Sequence, residues 1–221
     1  MMTAGEHAET GPPDTSGPTP YSTKAKTRMD SYLADRRAID DLMTGWIRRD
    51  LAQWDAMREL FHPDGVIEIT WFTGLFTDFV DASARMGESD LRTKHVITSP
   101  VVTFRGDRAV AETNAMVVAE NVALKLGCLS HNRFLDRVEK RDGIWKIVDR
   151  RSIYDMGSFT FPCGIVDIDA DTTTKYPPEY AALAYLLDKS GFPVTGAFAT
   201  KGSDLEASIK HSAQLWLEDK Q

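Results

Sequence analysis

An imidazole held by a carboxylate can take a proton from a substrate without a nucleophile. The carboxylate fixes the ring tautomer and stabilises the imidazolium that forms, while the free nitrogen accepts the proton. A histidine near its unperturbed pKa of ~6.5 does this at neutral pH. The sequence offers five histidines. His7 lies in a stretch crowded with Pro, Gly, Ser and Thr, His62 precedes Pro63, and His211 falls on a polar helix face, which leaves His95 and His131 for a pocket. His95 sits in the segment KHVITS, among β-branched neighbours that should pack inside. Its carboxylate is read from a helix. Ile39, Leu42, Met43, Trp46 and Ile47 recur at spacings of three and four, and one more step lands on Asp50. Burying an unpaired carboxylate is expensive, so Asp50 should find a partner, and a histidine on a facing strand is the natural one. The other assignment is that Asp50 caps a helix starting at Leu51.

Further polar residues surround this pair in the reading. Ser130, His131, Asn132 and Arg133 share one strand, so alternate members face opposite sides. The parity of Phe134 and Val138 turns Asn132 inward, and a single bulge would turn His131 inward instead. Arg151 shares the parity of Trp145, Ile147 and Ile153, which puts a fixed positive charge on the inner face, where it could hold a carboxylate or a developing enolate; a salt bridge to Glu112 or Glu120 is the structural alternative. Trp46, Trp71 and Phe72 could form an apolar wall for a ring compound, or simply core. The sequence contains no HxH, HExxH, GxxxxGK or GxSxG, so the expected site uses no metal and no other cofactor.

The elements that must position these residues follow from periodicity. Residues 1–28 have almost no large apolar side chains and are expected to stay disordered outside the fold. An amphipathic helix runs from Met29 to Asp50, a shorter one (LAQWDAMRELF) follows, His62-Pro63-Asp64-Gly65 reads as a stop and turn, and GVIEIT reads as a strand. After a crossover helix over residues 78–88 come KHVITSPVVTF, RAVAETNAMVVAE, LKLGCLSHNRFLDRVEK and IWKIVDRRSIY, punctuated by Arg105-Gly106-Asp107 and Arg141-Asp142-Gly143. Helices first and a meander of long strands afterwards imply an α+β fold: a cone-shaped, curved antiparallel sheet with N-terminal helices packed on its concave face, over residues 29–155. Residues 156–221 add a loop and two helical stretches, EYAALAYLLDKS and DLEASIKHSAQLWLED, as a C-terminal extension packed on the domain or on a neighbouring subunit.

Composition narrows the partners. A net charge of −7 gives no footprint for nucleic acid, and no run approaches the ~20 apolar residues of a membrane span. Cys128 and Cys163 lack CxxC spacing and read as buried, inert thiols of a soluble cytoplasmic protein. The expected partner is a hydrophobic small molecule. A curved sheet covered by helices on one side also predicts a homo-oligomer, dimer or trimer.

The helix RRAIDDLMTGWIRRD, the strand KHVITS and the run FLDRVEKRDGIWKIVDRR together resemble the SnoaL-like branch of the nuclear-transport-factor-2-like superfamily. The last run carries most of the resemblance: an aromatic, an acid, an RxDG turn and a WxI strand. It implies the cone fold and, by likeness to scytalone dehydratase, hexachlorocyclohexane dehydrochlorinase and bile-acid dehydratase, an Asp–His dyad that falls on Asp50 and His95. The implied activity is cofactor-free elimination, or isomerisation, on a hydrophobic cyclic molecule, with His95 as base and Asp50 as its orienting partner. A tyrosine pair like that of scytalone dehydratase is absent; Met43 and Trp46 occupy the helix stretch where one would sit. A non-catalytic binding protein of the same fold is the alternative.

Overall fold

A computed structural model describes residues 20–194 and 196–219. The chain divides into a short N-terminal unit, Met1–Asp35, and a body, Arg36–Gln221. The described part of the first unit is helical and belongs to α1 (Pro20–Thr44). Residues 20–28, expected to be disordered, are thus helical; proline is tolerated at a first helical position, and Lys24, Ala25, Lys26 and Arg28 are good helix formers. The rest of that expected tail lies outside the described residues.

In the body, α1 stops at Thr44 because Gly45 lets the chain pass close to its surroundings: a Cβ there would come 2.6 Å from Leu60 Cδ2 and 2.8 Å from the Asp41 carbonyl. Two short helices follow, α2 (Ile47–Asp50) and α3 (Trp54–Arg58). The break replaces the single helix expected through Asp50, and it turns Ile47 out to 44% exposure while Ile39, Met43 and Trp46 stay buried. Next come β1 (Phe61–Ile69), β2 (Phe72–Leu75) and α4 (Phe76–Gly87). β1 absorbs the expected His62-Pro63-Asp64-Gly65 turn as an irregularity between Phe61 and Val66, and buried His62 meets the Glu139 carbonyl through Nε2 at 2.9 Å. α4 buries Phe76, Phe79, Val80 and Met86 along one face.

The remaining strands are β3 (Leu91–Ile97), β4 (Val101–Arg105), β5 (Arg108–Asn121), β6 (Leu126–Arg141) and β7 (Ile144–Thr160). β3 and β4 both pair with β5, so KHVITSPVVTF is two strands parted near Pro100 rather than one run. Asp142 (φ 52°) and Gly143 (φ 79°) make the β6–β7 turn with both central residues at positive φ, as a tight hairpin demands. The sheet order is β2-β1-β7-β6-β5-β3, antiparallel except where β1 runs parallel to β7. Then follow α5 (Ala170–Thr173), α6 (Ala181–Lys189), β8 (Ala199–Thr200), which pairs with β7, and α7 (Asp204–Glu218). This is the expected α+β cone. Its helices cover both faces: Ile39, Leu42 and Met43 of α1 and Phe76, Phe79 and Val80 of α4 join the inner core, α2 packs on β3, and outside α7 sets Ala213 against Leu135, Ile153 and Ala199.

Two bulges on β7 set which side chains look inward. Asp149 pairs with Arg137 and Ile147 with Val138, leaving Val148 extra; Tyr154 pairs with Asn132 and Met156 with His131, leaving Asp155 extra. Past the first bulge the parity changes, and Arg150, Ser152 and Tyr154 take the inner face. Arg150 is fully buried and bidentate on equally buried Asp136 (Nε–Oδ1 2.7 Å, Nη2–Oδ2 2.9 Å), with its guanidinium 4.2 Å from the Phe134 ring centroid and 4.6 Å from that of Trp46. Burial pushes the Asp136 carboxyl up, and the charge and hydrogen bonds of Arg150 oppose that. Removing one partner leaves a buried charge without compensation. Arg150→Met should therefore destabilise the fold by about 3–5 kcal/mol in urea titrations, with most of the loss recovered in Arg150→Met/Asp136→Leu.

Candidate active site

The end of α2 and the start of the sheet bring two distant residues together. Asp50 closes α2 and faces β3, where His95 and Thr93 point inward, opposite Val117 and Ala119 of β5. Asp50 does not cap the next helix; the residue before α3 is Gln53, which makes no side-chain cap. Its carboxylate is spent on His95 instead: Oδ1 lies 2.6 Å from Nδ1, and Oδ2 accepts the His95 backbone N–H at 2.7 Å. Ring and backbone are gripped by one group. The Asp50 side chain is wholly shielded and that of His95 is 7% exposed.

The charges of the pair follow from this setting. Burial works to keep Asp50 protonated, but the hydrogen bonds and charge of His95, helped by Arg49, outweigh it and hold the carboxyl below its ordinary range. Burial is also the largest influence on His95 and pushes it down; the Asp50 hydrogen bond resists, and the Arg49 charge adds to the downward push. Near neutral pH the arrangement is a carboxylate against a neutral imidazole. An ionised carboxylate can only accept, so Nδ1 carries the proton and Nε2 is left with a free lone pair.

His95 forms part of the wall of a small inner cavity of about 50 Å³. The wall is mostly apolar: Trp46, Ile69, Trp71, Phe79, Phe134, Leu183, Leu186 and Leu187, with Arg49, Asn132, Ser152 and Tyr154 as its larger polar members. Trp46 meets the His95 ring edge-on at 6.0 Å between centroids. Trp46, Trp71 and Asn132 all line the cavity, Trp46 as part of the buried core as well, and the Asn132 Oδ1 is buried without a hydrogen-bond partner among the described residues.

Two expected site residues lie elsewhere. His131 is exposed on the outer face, in a row with Val96, Met116 and Met156, because the nearby bulge falls on β7 and leaves the parity of β6 intact. Arg151 also faces outward, since the extra residue Val148 reverses the parity inherited from Trp145 and Ile147. It bonds Glu68 and, at 2.9 Å, Asp149, rather than Glu112 or Glu120. Ile153, used in the same parity argument, is buried on the outer side under α7. The thiols separate as well: burial pushes Cys128 up to about 12, whereas Cys163 is exposed.

Residues 31–151 match the pattern of the SnoaL-like domain. The chain belongs to the SnoaL-like domain family. Pea pathogenicity protein 2 of Fusarium vanettenii is 26% identical over 177 residues, 76% of this chain and 76% of that protein. An uncharacterised protein of Aspergillus terreus is 28% identical over 181 residues, 71% of this chain and 66% of that one. Among solved structures, a scytalone dehydratase-like protein of Novosphingobium aromaticivorans superposes with TM-score 0.51 at 18% identity, over 63% of this chain and 99% of that one. The hexachlorocyclohexane dehydrochlorinase LinA type 2 gives 0.52 at 21%, over 63% and 96%. These likenesses establish the fold, and no helix among the described residues is long and apolar enough to cross a membrane.

The SnoaL-like match ends at residue 151, yet the cavity does not. Ser152 and Tyr154 follow on β7, and Leu183, Leu186 and Leu187 come from α6, part of the extension whose place the sequence left open. Tyr154 accepts the Thr70 backbone N–H at 3.1 Å, and burial pushes its hydroxyl up, so it is a neutral, anchored group. Arg49 was also missed. More than nine-tenths buried, it reaches Thr93 Oγ1 through Nη1 at 2.5 Å and Met86 Sδ through Nη2 at 3.2 Å.

The pair makes a spectroscopic prediction. Nitrogen-15 NMR of the His95 ring at pH 7 should show Nδ1 protonated and Nε2 bare, with titration below the ordinary ~6.5. Asp50→Asn removes an influence that raises His95 and should move the midpoint lower still. A His95 imidazolium at pH 7 would contradict the assignment.

Proposed function

We propose that this protein is a cofactor-independent lyase or isomerase acting on a hydrophobic cyclic small molecule. In this reading His95 Nε2 removes a proton from the ligand, Asp50 orients the ring and stabilises the imidazolium, and the aromatic and leucine walls hold the ring and exclude water. The observation that carries it is the 2.6 Å contact of Asp50 Oδ1 with His95 Nδ1 at the wall of an apolar cavity. The downward push on the imidazole fits a base, because it keeps His95 unprotonated under neutral conditions.

The likeness of the fold to LinA and to the scytalone dehydratase-like protein supports elimination as the reaction. Loss of water or hydrogen halide needs a base at the C–H bond and a departing group, and neither demands a nucleophile from the protein. In this reading the amide N–H of Asn132, on the inner face of β6, donates to a ligand oxygen.

The test is turnover of a panel of cyclic hydroxy- and halo-substituted compounds, followed by the ultraviolet absorbance of the new double bond. His95→Gln and Asp50→Asn should each lower kcat by about 10²–10⁴-fold with melting temperature little changed. Since the base must be neutral, kcat/KM should be flat near neutrality and fall as the pH drops through the lowered His95 midpoint. Full activity in either variant would end the proposal, and a ligand recovered unchanged across the panel would favour binding without chemistry.

A further inference from the structure

Arg49 poses a question that the base and its partner do not answer. It lines the same cavity as His95, more than nine-tenths buried, and among the described residues its guanidinium has no carboxylate within ion-pairing distance. Its two contacts, the Thr93 hydroxyl and the Met86 sulfur, are both neutral. The adjacent carboxylate of Asp50 acts on Arg49 through its charge, but its hydrogen bonds both go to His95. Burial pushes Arg49 down, but only to about 10, so it remains a cation at neutral pH. The other buried arginine shows what a structural solution looks like: Arg150 has Asp136 in bidentate contact. A buried guanidinium with no carboxylate in direct contact is costly, and its fork is shaped to receive one.

We propose that Arg49 is the anion-binding residue of the cavity and that the natural ligand is an apolar ring bearing a carboxylate. A charge that stands permanently in the wall calls for a countercharge that the ligand brings with it. The strand supplies the geometry. Thr93 and His95 are two residues apart on β3 and face the same side, so the residue that anchors the guanidinium stands about 7 Å along the strand from His95. A ring molecule can span that interval, its carboxylate on Arg49 and a ring C–H bond at His95. Arg49 then fixes the orientation in which the ring is presented.

The proposal deepens the functional reading by naming a ligand class for its cavity, and it is tested by binding alone. Calorimetry would compare 2-naphthoate with the neutral, near-isosteric 2-naphthamide. The wild-type protein should bind the carboxylate about ten- to a hundredfold more tightly, the contribution of a charge-assisted hydrogen-bonded pair. Arg49→Met should abolish that preference, and Arg49→Lys should keep part of it. Thr93→Val, which retains the cation but removes its anchor, should weaken it. Bound naphthoate should also raise the titration midpoint of His95 by offsetting the Arg49 charge, and naphthamide should not. Equal binding of the two compounds by the wild-type protein, or a preference that survives in Arg49→Met, overturns the proposal. His95→Gln separates the two claims: a catalytically active His95→Gln protein with intact carboxylate preference would refute the base and spare Arg49, whereas lost turnover in that variant beside an indifferent wild-type cavity would do the reverse.

Discussion

The site depends on one carboxylate making two bonds to one residue. Asp50 accepts both the ring N–H and the backbone N–H of His95, so the end of a helix and the middle of a strand are tied at a single point. That double grip sets the tautomer, aims Nε2, and satisfies an acid whose side chain is fully shielded from water. An unbonded carboxylate there would be a liability of several kcal/mol; bonded, it holds α2 against β3.

The surroundings act on the same pair from a distance. Arg49 and Arg150 both lower the affinity of His95 for a proton, and Arg49 helps keep Asp50 ionised. One cation is neutralised within the fold by Asp136 and flanked by aromatic rings; the other is left facing the cavity. Trp46 links these parts, packing against Phe79 and Phe134, meeting His95 edge-on and lying over Arg150. A change at any of them should be felt at the imidazole.

The fold was legible because its signals are long: five apolar positions at helical spacing, then strands of up to 17 residues with turn residues between them. Asp50 and His95 were legible because each breaks an apolar pattern. The failures arise where one residue changes the count. Val148 is an ordinary valine in an ordinary strand, yet as a bulge it exchanges Arg150 for Arg151 on the inner face, and no local residue type announces it. Gly45 was visible in the sequence, but the close approach of Leu60 that makes it a break was not. Arg49 did leave a trace, standing three residues after Trp46 in the same helical rhythm that reached Asp50. Its residue type points the other way, because arginine is mostly a surface residue. The α6 wall could not be read at all, since its leucines say only that they are buried somewhere.

That acid and imidazole act as one unit is best tested by a double-mutant cycle in kcat/KM over Asp50→Asn, His95→Gln and the double variant. A shared function predicts that the double variant is hardly worse than His95→Gln alone, because Asp50 works only through that ring. Losses that simply multiply would mean that the two residues contribute independently, and the account of the site would be wrong.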